Sequence, residues 1–209
     1  MDALSRHFER LYLSQDDPWN VRSSWYERRK RALLMDCMNR ERYGHALELG
    51  CGNGDMTVLL ADRCNHVTAV DVSATAVRHC RARISARRRA SVAALTMSLP
   101  DEWPDIPRGG FDLTVVSEIA YYLDDHALGL FLARIHDGLQ PGGELIACHW
   151  RQDFSDRLQQ TDALHESMAA LPGMTPLVSH QEADFRLDTW RRDPLSGEHG
   201  HDRRLHPGP

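Results

Sequence analysis

Glu48-Leu49-Gly50-Cys51-Gly52-Asn53-Gly54 is the stretch that decides the fold. It follows a short apolar run at 45–49 and precedes a helical pattern at 55–63. Glycine at every second position lets the backbone bend sharply between strand and helix, and lets a ligand approach where a Cβ would collide. Dinucleotide enzymes use a related loop to seat a pyrophosphate on a helix N-terminus, so a nicotinamide or flavin site is the competing reading. Glu48 argues against it: a carboxylate there repels phosphate and suits a cationic amino group. The spacing also reads GxGxG, not GxGxxG.

Working outward, Val67-Thr68-Ala69-Val70-Asp71 is a second apolar run whose acid falls roughly 20 residues past the loop, placed to accept two ribose hydroxyls. Val72 follows it toward the same ligand. Apolar runs then alternate with helical segments, which predicts a parallel sheet with crossover helices. Strands are expected at 45–49, 66–71, 90–95, 111–117, 143–150 and 184–190, and helices at 55–63, 74–86, 124–138 and 161–170. Leu139-Gln140-Pro141-Gly142-Gly143 forms a turn that feeds the late strand. Ahead of all this, Leu4, Phe8, Leu11 and Tyr12 share one helix face, and Trp25, Arg29 and Leu33 open a second helix beyond Pro18. The expected organisation is a helical cap (1–43), one ligand-binding domain (44–192) and a disordered tail (193–209). Functional metal ligation by His199, His201 and His206 in that tail is disfavoured.

Charged residues are 26% and hydrophobic residues 42% of the 209, an ordinary globular balance. A net charge of −5 gives no general attraction to nucleic acid or anionic membrane. Arg78, Arg81, Arg83, Arg87, Arg88 and Arg89 form a basic patch with no interleaved aromatic platform, and read as a solvated helix face. Five cysteines without a CxxC pair point to a reduced, cytoplasmic setting and no zinc site. No apolar run is long enough for a signal core or a bilayer span. The expected partner is a small molecule, with monomer and dimer both open.

Taken jointly, the glycine loop, Asp71, Phe111-Asp112-Leu113 and the Pro-Gly-Gly turn resemble the class I methyltransferases. That resemblance implies a Rossmann-like α/β fold, a mostly parallel seven-stranded sheet with helices on both faces under the amino-terminal cap. It also implies S-adenosylmethionine as cofactor, leaving S-adenosylhomocysteine as product and needing no metal. Gly50, Cys51, Gly52 and Gly54 would then shape the cofactor loop. The family places the adenine against an Asp after the third strand, and here Thr96-Met97-Ser98-Leu99-Pro100 puts Ser98 in that place. Met97 is expected on the adenine face, and Ser98 or a backbone amide at the ring edge.

Further segments narrow the resemblance. Asp16-Asp17-Pro18-Trp19, Ser23 to Lys30, Ser117-Glu118-Ile119-Ala120-Tyr121-Tyr122-Leu123, and His149-Trp150-Arg151 with Asp162 and His165 resemble the nodulation protein S (NodS) family. That family methylates an amine on a chitooligosaccharide precursor. The resemblance implies an amine acceptor of amino-sugar type, and a cap that brings Trp19, Arg22 and Tyr26 to the cofactor. Trp25 is expected to staple the cap onto the domain.

Methyl transfer from a sulfonium needs a neutral nucleophile aligned in a dry site. Ser117 and Glu118 end the fourth strand, where Glu118 would orient the sulfonium end or the acceptor; its competing role is a helix N-terminal acid. His149 ends an apolar strand and is the expected general base, with Asp162 and His165 converging on it. Tyr121 is a further catalytic candidate. Tyr122, Trp150, Arg151, Asp162 and His165 are expected to bind the acceptor. Small-molecule O-methylation, a nicotinamide oxidoreductase and a catalytically silent cofactor-binding protein are the alternatives.

Overall fold

The computed structural model describes residues 3–87 and 91–194. Two helices lead the chain, α1 (Ala3–Ser14) and α2 (Trp25–Asp36). Ser24 caps α2 by accepting the Glu27 amide, as a short hydroxyl side chain does at a helix start. Then strands and helices alternate: β1 (Tyr43–Leu49), α3 (Asp55–Arg63), β2 (Cys64–Asp71), α4 (Ala74–Arg87), β3 (Ser91–Thr96) and β4 (Phe111–Ser117). A 3-10 turn (Ala120–Tyr122), α5 (Asp125–Gly138), β5 (Leu139–Trp150), α6 (Thr161–Ala169), β6 (Met174–Gln181) and β7 (Phe185–Arg192) complete it.

All seven strands form one sheet in the order β3-β2-β1-β4-β5-β7-β6. The first five are parallel, and β7 is antiparallel to both β5 and β6. The order reverses between β1 and β4, whose C-terminal ends therefore splay open and leave a crevice for a ligand. Alternating side chains build a core on each face. Ala46, Ala69, Val115, Ile146 and Cys148 pack with α2, α3 and α4. Leu47, Val70, Val116, Leu145 and Ala147 pack with α5 and α6.

The expected strands appear with shifted ends, and one strand is missing from the sequence reading. β6 carries Pro176, lies at the sheet edge and has no buried residue, so it offers neither an apolar run nor clean alternation. The Pro-Gly-Gly segment lies inside β5 as its irregular start: Gly142 has φ +76°, and a Cβ on Gly143 would lie 2.8 Å from the Gln140 carbonyl.

Trp25 is corrected: it is 69% exposed beside the Arg29 guanidinium, so it staples nothing. Of the basic patch, Arg78 reaches Thr75, Arg81 the Ala94 carbonyl and Arg83 Asp55. Arg88, Arg89 and the tail from 195 onward, including its three histidines, lie outside the described residues. Among the described residues no helix is long and apolar enough to cross a membrane.

Candidate functional site

A cavity of about 780 Å³ opens above the C-terminal ends of β1, β2 and β4 and is roofed by α1 and α2. The glycine loop forms its floor. Gly50, Gly52 and Gly54 all have positive φ, a conformation that costs any residue with a Cβ. A Cβ on Gly52 would stand 2.7 Å from the Tyr12 hydroxyl, and one on Gly54 would stand 2.9 Å from the backbone of Cys80. The loop can therefore sit tightly between the cap and α4 only with glycine at positions 52 and 54.

Asp71, at the end of β2, is nearly buried. Its Oδ2 accepts the Gly52 amide at 2.8 Å and its Oδ1 the Ser73 amide at 2.9 Å. Those bonds aim the carboxylate while leaving lone pairs facing the cavity. Burial pushes its pKa up, and the amides of Ser73 and Gly52 oppose that rise. Glu48, at the end of β1, is buried too. The Thr57 side chain bonds this carboxylate, but Oε2 has no hydrogen-bond partner. Burial raises its pKa well above the carboxylate range, with Cys80 adding to the rise. An unpartnered buried acceptor is costly unless a ligand donor meets it.

Val72, Met97 and Ser98 line the far end of the cavity, where the Met97 amide bonds the Asp71 carbonyl at 3.0 Å. Tyr12, Trp19 and Tyr26 enter from the cap. The cap is anchored close by: the Glu9 carboxylate accepts the Ser73 hydroxyl at 2.7 Å and the Thr75 hydroxyl at 2.6 Å, at the N-terminus of α4 where negative charge is favoured. Asn53 of the loop holds the Asp16-Asp17 segment through the Asp16 carbonyl at 3.3 Å.

Across the cavity, Glu118 sits at φ +58°, an uncommon backbone for a non-glycine residue. Its carboxylate is held from three sides: Oε1 by Lys30 at 2.5 Å, Oε2 by the Tyr121 hydroxyl at 2.7 Å and the Trp150 amide at 2.9 Å. Lys30 is 5% exposed and also meets Glu27 at 2.9 Å. Burial would lower the Lys30 pKa, yet Glu118 and Glu27 outweigh it and hold the ammonium above the usual lysine range. Burial and Glu118 likewise raise the Tyr121 phenol. Tyr122, Trp150 and Phe154 continue the wall as an aromatic surface.

The family model described as Nodulation protein S (NodS) matches residues 3–161. A nodulation protein S from Rhizobium tropici is 32% identical over 185 residues, 88% of this chain and 75% of the relative. The chain belongs to the nodulation protein S family. A structure described as a putative methyltransferase from Pseudomonas syringae shares 40% identity and superposes with a TM-score of 0.68, covering 81% of this chain and all of that one. N-methyltransferase NodS from Bradyrhizobium japonicum WM9 in complex with S-adenosyl-l-homocysteine superposes at 0.78 with 24% identity, over 91% and 99% of the two chains. The fold is thus the Rossmann-like methyltransferase fold, and the chain, as a member of the nodulation protein S family, is a methyltransferase.

Several expected site residues stand elsewhere in this member of the family. His149 does not line the cavity. It is fully buried between Cys148 and Trp150, which do, because neighbouring strand residues point to opposite faces. Its Nδ1 lies 3.0 Å from His165 Nε2, and His165 Nδ1 lies 2.8 Å from Asp188. Burial, the largest cause, and His165 depress its pKa well below the histidine range. A general base must reach the proton it takes, so this position corrects the expectation. His165 is buried in the same chain. Asp162 and Arg151 pair with each other at 2.8 Å away from the cavity, and Asp162 also meets Arg186 at 3.3 Å. Arg22 lies outside the cavity, 3.9 Å from Asp55, and Gly54 supports the loop from behind without lining it.

Gly50, Cys51, Gly52, Ser117, Glu118, Tyr121 and Tyr122 do line the cavity. The sequence reading missed Lys30, Glu27 and Phe154. Lys30 looked like one of four bases among Arg28-Arg29-Lys30-Arg31, and its burial alone separates it from them.

Proposed function

We propose that this methyltransferase uses S-adenosylmethionine and methylates an amine of a small-molecule acceptor. The observation that carries the reading is Glu48 Oε2, a buried oxygen without a partner in the wall of a cavity whose next strand ends in Asp71. The residues present fit that cofactor. Glu48 offers an acceptor for the amino group, Asp71 for the ribose hydroxyls, and Met97 with Ser98 an apolar and polar pair for the adenine. A pyrophosphate offers no donor to the unpartnered Glu48 Oε2, which disfavours the nicotinamide reading.

When bound, S-adenosylmethionine supplies a methyl group already activated on a sulfonium. The chain has only to hold the amine in line, keep its lone pair free and exclude water. Glu118 suits the first task. Lys30, the Tyr121 hydroxyl and the Trp150 amide hold its orientation, and it can accept an amine N–H while the lone pair points away. Phe8, Leu11 and Tyr12 of α1 roof the cavity and would help keep water from the reacting atoms.

The test is a titration with S-adenosylhomocysteine, followed by assay of labelled methyl donor against amines and hydroxylated small molecules. The reading expects micromolar binding and label on nitrogen. Binding without turnover of any amine would make the chain a silent cofactor-binding protein, and label on oxygen would make it an O-methyltransferase.

A further inference from the structure

We propose that Arg157 is a positioning residue for methyl transfer, one that works from behind the cavity wall by fixing the acceptor end of the site; this rests on the amine-methyltransferase reading above. The sheet order separates the two ends of the cavity. Asp71 ends β2, Glu48 lies near the end of β1 and Glu118 follows β4, so the groups offered to the cofactor stand on one side of Glu118 and β5 on the other. Beyond Glu118 the wall is the end of β5 and the 151–160 segment that joins it to α6, which bring Trp150, Phe154, Ser155 and Asp156 to the cavity.

That segment forms no helix or strand of its own, and Arg157 organises it. A guanidinium has five N–H donors, and here each meets an acceptor. Nε donates to the Gln159 carbonyl at 2.8 Å, and Nη1 to the carbonyls of Arg151 at 3.0 Å and Gln152 at 2.7 Å. Nη2 donates to the Trp150 carbonyl at 3.0 Å and to the Thr161 hydroxyl. The Arg157 side chain is 3% exposed, whereas Asp153, 3.8 Å away, is 86% exposed, so backbone carbonyls more than an ion pair hold the charge. The same guanidinium stands over the Phe154 and Tyr121 rings at 5.6 and 5.7 Å.

Two of the groups that hold Glu118 depend on this arrangement. Trp150 donates its amide to Glu118 at 2.9 Å and offers its carbonyl to Arg157 and to the Thr161 hydroxyl, the latter at 2.5 Å. Tyr121 donates its hydroxyl to the same carboxylate at 2.7 Å, while its backbone carbonyl accepts the amides of Leu158 and Gln159 at 2.8 and 3.1 Å. Arg157 does not line the cavity, so it acts through Trp150, Tyr121 and Phe154 and touches no substrate. Lysine cannot replace it, because an ammonium has three donors and no planar fork to match five acceptors.

The test measures kcat and amine KM at saturating methyl donor, and S-adenosylhomocysteine affinity by calorimetry, in the full chain and its Arg157→Lys, Arg157→Met and Phe154→Ala variants. Glucosamine, benzylamine and putrescine are the amine probes. Both Arg157 variants are expected to raise KM by about tenfold or more, and Phe154→Ala by about fivefold, with S-adenosylhomocysteine affinity kept within about threefold. A residue that only supported folding would cut the active fraction, lowering kcat and binding stoichiometry while KM stayed put. Should Arg157→Met fail to fold, Arg157→Lys, which retains the charge and most of the volume, and Phe154→Ala carry the comparison. An unmoved KM in the folded variants, or a fall in S-adenosylhomocysteine affinity that matches the rise in KM, overturns the proposal alone. An unaltered chain that binds S-adenosylhomocysteine but methylates none of the three amines overturns the amine reading, and this proposal with it.

Discussion

Lys30 on α2 and Glu118 at the tip of β4 are 88 positions apart and close a 2.5 Å ion pair that ties the cap to the sheet. Removing the cation leaves a carboxylate in the cavity wall with only Tyr121 and a backbone amide to stabilise it. Glu118 is 27% exposed on its side chain, so solvent offsets part of the loss. Lys30→Met is expected to lower unfolding free energy by about 1–3 kcal/mol, read by urea titration. Glu118→Gln added to it should recover part of that. A loss under about 0.5 kcal/mol would mark the pair as no stronger than a surface bridge. The ammonium is held above its usual range, so its contribution is fully present below about pH 10.4 and fades only as pH climbs through the folded value.

Glu48 predicts a proton linkage. Burial raises its pKa, so the unliganded protein favours the protonated acid, and in the fold stability falls as pH rises from the unfolded value toward the folded one. An incoming ammonium favours the carboxylate, so binding of S-adenosylhomocysteine should release a proton and tighten with rising pH. Calorimetry near pH 7 in two buffers of different ionisation enthalpy measures that release. Glu48→Gln should abolish it and weaken binding. Proton uptake on binding would contradict the assignment of Glu48 to the amino group.

Asp71→Ala should weaken S-adenosylhomocysteine by about 100-fold or more, the cost of losing two hydrogen bonds to a charged acceptor. Asp71→Asn keeps the shape and should fall between. Unchanged affinity in the alanine variant would place the ribose elsewhere.

His149→Phe separates the buried chain from the chemistry. The Asp188–His165–His149 chain loses its last member, so stability should drop by about 1–3 kcal/mol as His165 Nε2 is left without a partner. The acid limb of the pH–rate profile should keep its position, because His149 does not line the cavity. A lost or shifted limb would restore His149 as a base.

Gly54→Ala combines φ +85° with a Cβ 2.9 Å from the Cys80 backbone, and neither strain can relax by a side-chain rotation. A loss of roughly 2 kcal/mol or more in thermal unfolding is expected, with weaker cofactor binding.

The strands were legible because each central one is a buried apolar run bracketed by glycine or an acid, as in Leu47 to Gly50 and Val67 to Asp71. β6 was not, since an edge strand with a half-exposed pattern and a proline follows no apolar period. Among the expected site residues, Gly50, Gly52, Asp71 and Glu118, at or just beyond strand ends, line the cavity. The face that a side chain takes was not legible. His149 and Trp150 are adjacent in sequence, yet only Trp150 lines the cavity.

Local order therefore settled the α/β framework, the glycine turn and the two acids flanking it, because hydrophobic periodicity and backbone freedom act over a few residues. Packing across the sheet decided what meets what: that Lys30 neutralises Glu118, that Glu48 keeps one oxygen bare, and that His149 turns inward to His165. Such pairings depend on desolvation and on contacts between segments 16 to 88 positions apart, and no short stretch of chain encodes them.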